Sequence, residues 1–466
     1  MTPHGKQSGL AERFFALEAN ETTVRREIVG GATTFVAMAY IIVLNPAILS
    51  FAGLPPGPET IATILTAAFG SLLMGLWANR PIAIAPYMGE NAFLAFGLVS
   101  LGIGWQQRLG TVFIAGLAFA VLVLLRIGPW LARAVSPSMK HSFGVGIGLF
   151  LLLLGLGEAG LVESAARGMP AETLVDPATG LLRAPPVPLK IGNLSDPKVL
   201  LALGGLGLTV ILQARRVGGA ILIGMIATGA TGYALGLGAA PRGVFALPFT
   251  GDLSLAPIAF ELDITSVVQL SFLPILMTLF LVSFLDTLGT LVGLGSAAKL
   301  LDERGDFPQI HRPMMASALS CVFGSLVGTS TSGAFIESAA GIREGARTGL
   351  AAVTTAVLFL ATLFVVPLIQ PLQELQYAYA PALIVVGIAM MPAIRGIDFD
   401  DSTELIPAVA TLAMMVFTYN IANGLTAGLA IYPWLKLAAG KAQGVPSGAW
   451  LLSILCLLYY VFGVPH

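Results

Sequence analysis

Apolar stretches long enough to cross a bilayer recur from residue 28 to residue 463, which restricts the chain to a bundle of membrane helices. In hydrocarbon every backbone N–H and C=O needs a partner inside the protein, and a helix supplies its own. Fifteen stretches can be read between 28–52 and 448–463, with Gly424 and the neighbouring Asn residues blurring the border between 404–421 and 422–438. About fourteen are expected to span, one late stretch being short, re-entrant or interfacial. With 56% hydrophobic and 11% charged residues, too little polar surface remains for a soluble chain of 466 residues. The 54 Gly and 29 Pro fall inside apolar runs and predict kinked, broken or tightly packed helices. Cys321 and Cys456 both lie in apolar segments and read as buried small side chains.

Basic residues fix the orientation. With the N-terminus inside, eighteen of the 24 Lys and Arg residues fall on the cytoplasmic side, among them Arg80, Arg126, Arg215, Arg304 and Lys436. Most of the other six lie in or beside the long external loop 158–197, a surface excursion or hairpin. The expected location is the cytoplasmic (inner) membrane, multi-pass, and the run after the polar N-terminus is too long for a signal peptide.

The two halves echo each other at an offset near 240–244. Asn45-Pro46 matches Asp286-Thr287, Gly89 and Gly97 match Gly333 and Gly341, Arg108 matches Arg347, and Pro137 matches Pro381. An odd number of spans per half inverts the second copy, so the expected fold is all-α and polytopic, two inverted seven-span repeats with interrupted third and tenth spans. The domain reading is a cytoplasmic segment 1–27, a first repeat 28–238, an external connector 239–267 and a second repeat 268–466.

Two acids sit where a membrane protein tolerates them least. Asp286 lies in FLPILMTLFLVSFLDTLGTLVGL (272–294) and Glu337 in TSTSGAFIESAAG (329–341). A carboxylate at mid-bilayer depth costs roughly 2.5–3.5 kcal/mol on insertion scales, so it ordinarily faces a polar cavity and carries function. The chain is interrupted twice nearby. Pro86 and Gly89 in APYMG predict a helix that starts after Gly89, and Ser330, Thr331, Ser332 and Gly333 predict another over Ala334–Gly341. Two half-helix N-termini meeting at the midplane would offer backbone donors to a polar ligand; the plainer reading is a pair of packing kinks. A ligand with several ring N–H groups suits two carboxylates flanked by amides. A carboxylate shielded from water can also exchange a proton, making Glu337 and Asp286 the proton-coupling candidates.

Their alternative is a structural acid paired with Lys or Arg, but no basic residue shares the stretch with Asp286, and Arg343 is almost two turns beyond Glu337. Asn91 could reach the ligand or cap its own helix. Glu90 could line the cavity, answer the helix dipole or face solvent, and Asn45 could support the site or tie helices together. The four His residues are scattered, with no HExxH pattern, P-loop or Cys/His cluster. No enzyme, cofactor or metal is therefore expected, and no basic tract suggests nucleic acid.

The segments VGGATTFVAMAYIIVLNPAIL (29–49), APYMGENAFLAFG (85–97), SFLDTLGTLVGL (283–294), GTSTSGAFIESAAGIREGARTGL (328–350) and MMVFTYNIANGL (414–425) resemble the nucleobase–cation symporter superfamily of xanthine/uracil permeases. The likeness is strongest to the azaguanine-type permeases for adenine, guanine and hypoxanthine, and it runs across nearly the whole chain. It implies a core domain of spans 1–4 and 8–11, a gate domain of spans 5–7 and 12–14, and a base bound between spans 3 and 10. Asp286, Glu337 and Asn91 are the contacts it implies; the residues themselves add Gly89, Glu90, Ser332 and Gly333 as candidates to line the site and Asn45 and Thr331 as candidates to support it. Where the family usually has an apolar residue before the Asn, this chain has Glu90. The expected activity is secondary import of a purine nucleobase with a coupling proton, by elevator or rocking motion of core against gate. The partners are the base, the proton and the lipid bilayer, and a homodimer is compatible with the sequence. The alternatives are a xanthine/uracil-specific permease and a sulfate-permease-type anion carrier, which two acids disfavour.

Overall fold

The computed structural model describes residues 10–98, 102–175, 187–239, 241, 243–300 and 307–462. Arg304 and residues 176–186 of the long loop 158–197 lie outside them. Eight helical stretches among the described residues are long and apolar enough to cross a bilayer, and shorter apolar helices complete the bundle.

Span 1 comprises two helices, Val24–Met38 and Ile41–Ser50. Pro46 deprives the Ile42 carbonyl of its helical donor, and Gln373 Nε2 takes that place at 3.0 Å. Span 2 is Pro56–Leu76 and span 4 is Trp105–Leu124. Span 3 is interrupted: a strand Ile84–Pro86, a single helical turn Met88–Ala92, then a π-helical turn Phe93–Gly97. Spans 5, 6 and 7 are Pro137–Glu158, Pro197–Ala214 and Ala220–Ala234.

The second half repeats this order. Spans 8 and 9 are Leu273–Ala297 and His311–Val327; span 10 is a strand Ser332–Ala334 and a short helix Ser338–Arg343. Spans 11 to 14 are Gly349–Thr362, Gln376–Met390, Ser402–Phe417 and Ile421–Ala438. Each half inserts a short helix after its fourth span, Gly128–Ala134 and Val366–Glu374. The extra apolar stretch is the last helix, Ser447–Phe462, which packs on span 14 and on Gly128–Ala134, outside the duplicated plan.

Spans 1, 2, 4, 9 and 11 pack on one another as a core, with spans 3, 8 and 10 at its centre. Spans 5, 12, 13 and 14 form the gate with the pair 6 and 7. Glu27 ties spans 1 and 11: its buried carboxylate accepts the amides of Arg347 (2.7 Å), Thr348 and Ala351 (both 3.2 Å) at a helix start that favours negative charge. On the gate, Lys436 of span 14 pairs with Glu404 (2.8 Å) and Asp401 (3.3 Å) at the head of span 13. The long connection between spans 5 and 6 contains a hairpin, Val162–Ser164 against Leu189–Ile191.

The matched positions of the repeat shift where the spans break. Spans 4 and 11 begin 244 residues apart, at Trp105 and Gly349, but the two strands begin 248 apart, at Ile84 and Ser332. Gly89 therefore sits in a helical turn and Gly333 in a strand, and the two are not equivalent.

Candidate functional site

Spans 3 and 10 run in opposite directions and meet as a two-stranded antiparallel ribbon, Ile84 opposite Ala334, Ala85 opposite Gly333 and Pro86 opposite Ser332. The bonding continues past the strands, with Tyr87 N–H donating to Thr331 O (3.0 Å) and Phe335 N–H to Ala83 O (2.9 Å). The outward edges are satisfied by the flanking spans. Ser71 of span 2 accepts the Ile84 N–H (3.0 Å) and donates to its carbonyl (3.2 Å). Cys321 of span 9 does the same for Ser332, accepting its N–H (3.2 Å) and donating to its carbonyl (2.9 Å). The thiol is thus more than a buried apolar group, and the Ser71/Cys321 correspondence marks the duplication although the residue types differ.

Both helix starts differ from the sequence expectation. The first turn begins at Met88, one residue before Gly89, because Pro86, which has no N–H to give, is used in the strand. The expected helix Ala334–Gly341 is shortened to Ser338–Arg343, because Ser332–Ala334 are taken by the ribbon. Glu337 consequently stands at the N-cap position rather than inside a half-helix.

Around the ribbon the structure gathers three carboxylates. Tyr40 donates to Glu337 Oε1 at 2.6 Å, joining the break in span 1 to span 10. Asp286, in span 8, lies within electrostatic range of Glu337 and Glu90, and among the described residues its carboxylate makes no hydrogen bond or ion pair. Ser283, almost one turn before Asp286, donates to Glu90 Oε2 at 2.6 Å. Glu90 is 2% exposed, which removes the solvent-facing alternative, and its Oε1 is buried without a hydrogen-bond partner among the described residues, as is Oγ1 of neighbouring Thr331. None of the three acids meets a Lys or Arg among the described residues. Beside them the rings of Tyr87 and Phe335 lie nearly parallel, 12° apart with centroids 6.2 Å apart, and the Tyr87 hydroxyl is held by Thr287 at 2.9 Å.

The remaining candidates divide. Gly333 lies flat against the Tyr87 ring, which a Cβ would enter, so glycine is what lets ring and ribbon meet. Gly89 has the same relation to Ile147 of span 5, at the contact between core and gate. Ser332 turns its hydroxyl away, to Ser320 of span 9 at 2.7 Å. The Asn91 side chain neither caps its own helix nor stands alone: its amide donates to Asn45 Oδ1 and its Oδ1 accepts from Ser330.

Two groups were not singled out from the sequence. Tyr40 is one of several aromatic residues in apolar surroundings, and nothing local marks it. Glu59 looks like a membrane-end charge because Pro56 and Pro58 announce a helix start, yet it is buried. It shares Asn45 Nδ2 with Thr63 and Thr329, at 2.8, 2.7 and 2.9 Å respectively.

Residues 25–426 match the sequence profile of the Permease family, of the xanthine/uracil type. A permease of Methanocaldococcus jannaschii is 41% identical over 452 residues, covering 97% of this chain and 98% of that protein. The adenine permease AdeP of Escherichia coli is 34% identical over 98% of this chain and 97% of its own length. The guanine/hypoxanthine permease PbuO of Bacillus subtilis is 34% identical over 96% and 99%. Among solved structures, the transmembrane domain of the cyanobacterial bicarbonate transporter BicA superposes with a TM-score of 0.60 at 17% identity, covering 87% of this chain and 97% of that one. SLC26A9 superposes with a TM-score of 0.61 at 13% identity, over 94% and 70%. At those identities the likeness speaks for the fold, with its core and gate, and not for the cargo.

Proposed function

The chain belongs to the Permease family of the xanthine/uracil type, and from that premise we propose that it imports purine nucleobases across the cytoplasmic membrane. The observation that carries the reading is a pair of acids free of cations, Asp286 and Glu337, beside two nearly parallel rings. A purine base is planar and carries N–H donors on its edge. Tyr87 and Phe335 suit its faces, and the carboxylates suit its donors through charge-assisted bonds. Relatives similar over nearly the full length are named as adenine and guanine/hypoxanthine permeases, which supports the same cargo.

Import runs as proton symport, with the core carrying the site past the gate and the N-terminus in the cytoplasm. Three carboxylates without a counter-charge disfavour an anion, so the resemblance in fold to BicA and SLC26A9 does not extend to their cargo in this reading. The test is uptake of labelled adenine, hypoxanthine and guanine into proteoliposomes, beside labelled sulfate and bicarbonate. Saturable purine uptake that rises as external pH falls from about 8 to 6, and collapses with a protonophore, is the expected result. Sodium-dependent uptake indifferent to the protonophore would overturn the proton, and uptake of the anions alone would overturn the cargo.

A further inference from the structure

Glu59 lies inside the protein, one hydrogen-bonded layer out from the acids around the ribbon. It stands in the first turn of span 2, at the end the basic-residue bias places outside, and it is 0% exposed. Oε1 receives Thr329 Oγ1 at 2.5 Å, Asn45 Nδ2 at 2.8 Å and Thr63 Oγ1 at 3.0 Å, while Oε2 lies 3.1 Å from Thr63 Oγ1. All three partners are neutral.

The elements packed against span 2 bring no charge to it. Span 1 offers Tyr40, committed to Glu337 of span 10, and Glu27, committed to span 11; Arg25 and Arg26 share the turn of Glu27, by the opposite end of span 2 from Glu59. Span 3 offers Tyr87 and Glu90, committed to Thr287 and Ser283, and span 9 offers Cys321, committed to Ser332, while its His311 and Arg312 start the helix beside Arg80, past the opposite end of span 2 from Glu59. Asp252 on the external turn Gly251–Leu253 and Glu374 on Val366–Glu374 form no bond to Glu59, and span 11 carries no titratable residue. An ionised carboxylate here would stand without a counter-charge, which costs several kcal/mol.

Side chains in direct contact at 2.5–3.1 Å leave no gap for a coordinated metal ion. A proton needs none. With hydrogen on Oε2 directed to Thr63 Oγ1, Oε1 still accepts from Asn45 and Thr329 and lies within reach of the Thr63 hydroxyl. Deprotonation reverses the demand, since Oε2 then needs a donor and Thr63 must turn its hydrogen to it. That change reaches the pocket by a short route: Asn45 Oδ1 accepts from Asn91, Asn91 Oδ1 accepts from Ser330, and Ser330 adjoins Thr329.

We propose that Glu59 is the seat of the coupling proton, and that Asn45, Asn91 and Ser330 report its protonation to the pocket. The proposal rests on the proton-symport reading above and moves the proton off the acids that meet the base. An external proton converts the carboxylate to the acid, and the same proton leaves to the cytoplasm; no other bond forms or breaks.

The test uses the full-length protein in proteoliposomes with labelled adenine or hypoxanthine, and it compares wild type with Glu59→Gln. Exchange of labelled for unlabelled base, which needs no net proton movement, should stay within about twofold of wild type. Accumulation driven by an inward proton gradient should fall by about tenfold or more, and base affinity should lose its dependence on pH. Glu59→Gln protein that accumulates base with wild-type pH dependence overturns the site while leaving the symport reading intact. Wild type that accumulates nothing under the gradient overturns both. Should Glu59→Gln fail to yield monodisperse protein, Thr329→Val decides: it keeps the carboxyl, removes one donor and should shift the pH midpoint of accumulation, and an unmoved midpoint overturns the proposal.

Discussion

Core and gate use charge in opposite ways. On the gate, Lys436 is flanked by Asp401 and Glu404, Lys441 reaches Asp401 at 2.8 Å, and Ser136 donates to Glu404 at 2.6 Å. In the core, Glu59, Glu90, Asp286 and Glu337 meet hydroxyls, an amide or each other, and no cation among the described residues. Glu27 is the instructive intermediate, a core acid answered entirely by neutral donors, chiefly the backbone amides of span 11. The contrast separates two reasons for burying charge. Paired groups fix the helices of the gate, whereas acids left without cations in the core keep, in the function proposed above, hydrogen-bonding capacity for a ligand.

The sharpest way to break this contrast is Glu337→Gln. If the core acids are kept for a ligand, uptake should fall on the order of 100-fold while the purified protein elutes unchanged. Wild-type uptake would make Glu337 a structural acid held by Tyr40. Glu90→Leu should act more selectively, shifting the competition between two unlabelled bases by about tenfold, because it alters one wall of the pocket and frees Ser283. An unchanged ranking, with stability altered by no more than about 1 kcal/mol, would assign Glu90 to the helix start alone.

The gate should answer with stability instead. Lys436→Met strands Glu404 and should lower the melting temperature, a loss of about 1–3 kcal/mol, with the ranking of bases unmoved. The neighbouring Lys441 and Thr403 hold the Asp401 carboxyl below the usual carboxylate range. A depressed acid contributes stability above its unfolded pKa of about 3.9, and that contribution is lost only as pH falls toward the folded value. Between about pH 8 and 5 this cluster should therefore leave the melting temperature flat, and a slope there would point to another group.

Much of the architecture was legible because hydrocarbon enforces it. The spans announce themselves by length, and Asp286 and Glu337 by standing against the pattern. What escaped was whatever depends on partners far apart in the chain. The ribbon at 84–86 and 332–334 has no strand signature, since three residues containing Pro or Gly become a strand only when spans 2 and 9 supply Ser71 and Cys321. The repeat was visible, but its register slipped at the breaks, where irregular backbone lets residues be gained without disturbing a helix face. Glu59 escaped because two prolines made it look like a surface residue.

The ribbon has a mechanical consequence. Its two strands come from opposite halves of the chain, so the walls of the pocket are joined to each other rather than merely facing. Parting spans 3 and 10 would expose amides and carbonyls in a medium that offers no water, at several kcal/mol for each group. No hinge can run through the pocket. In the proposed transport cycle this joined piece has to move whole, and the bare Cα of Gly89 against Ile147 marks one surface along which it can slip.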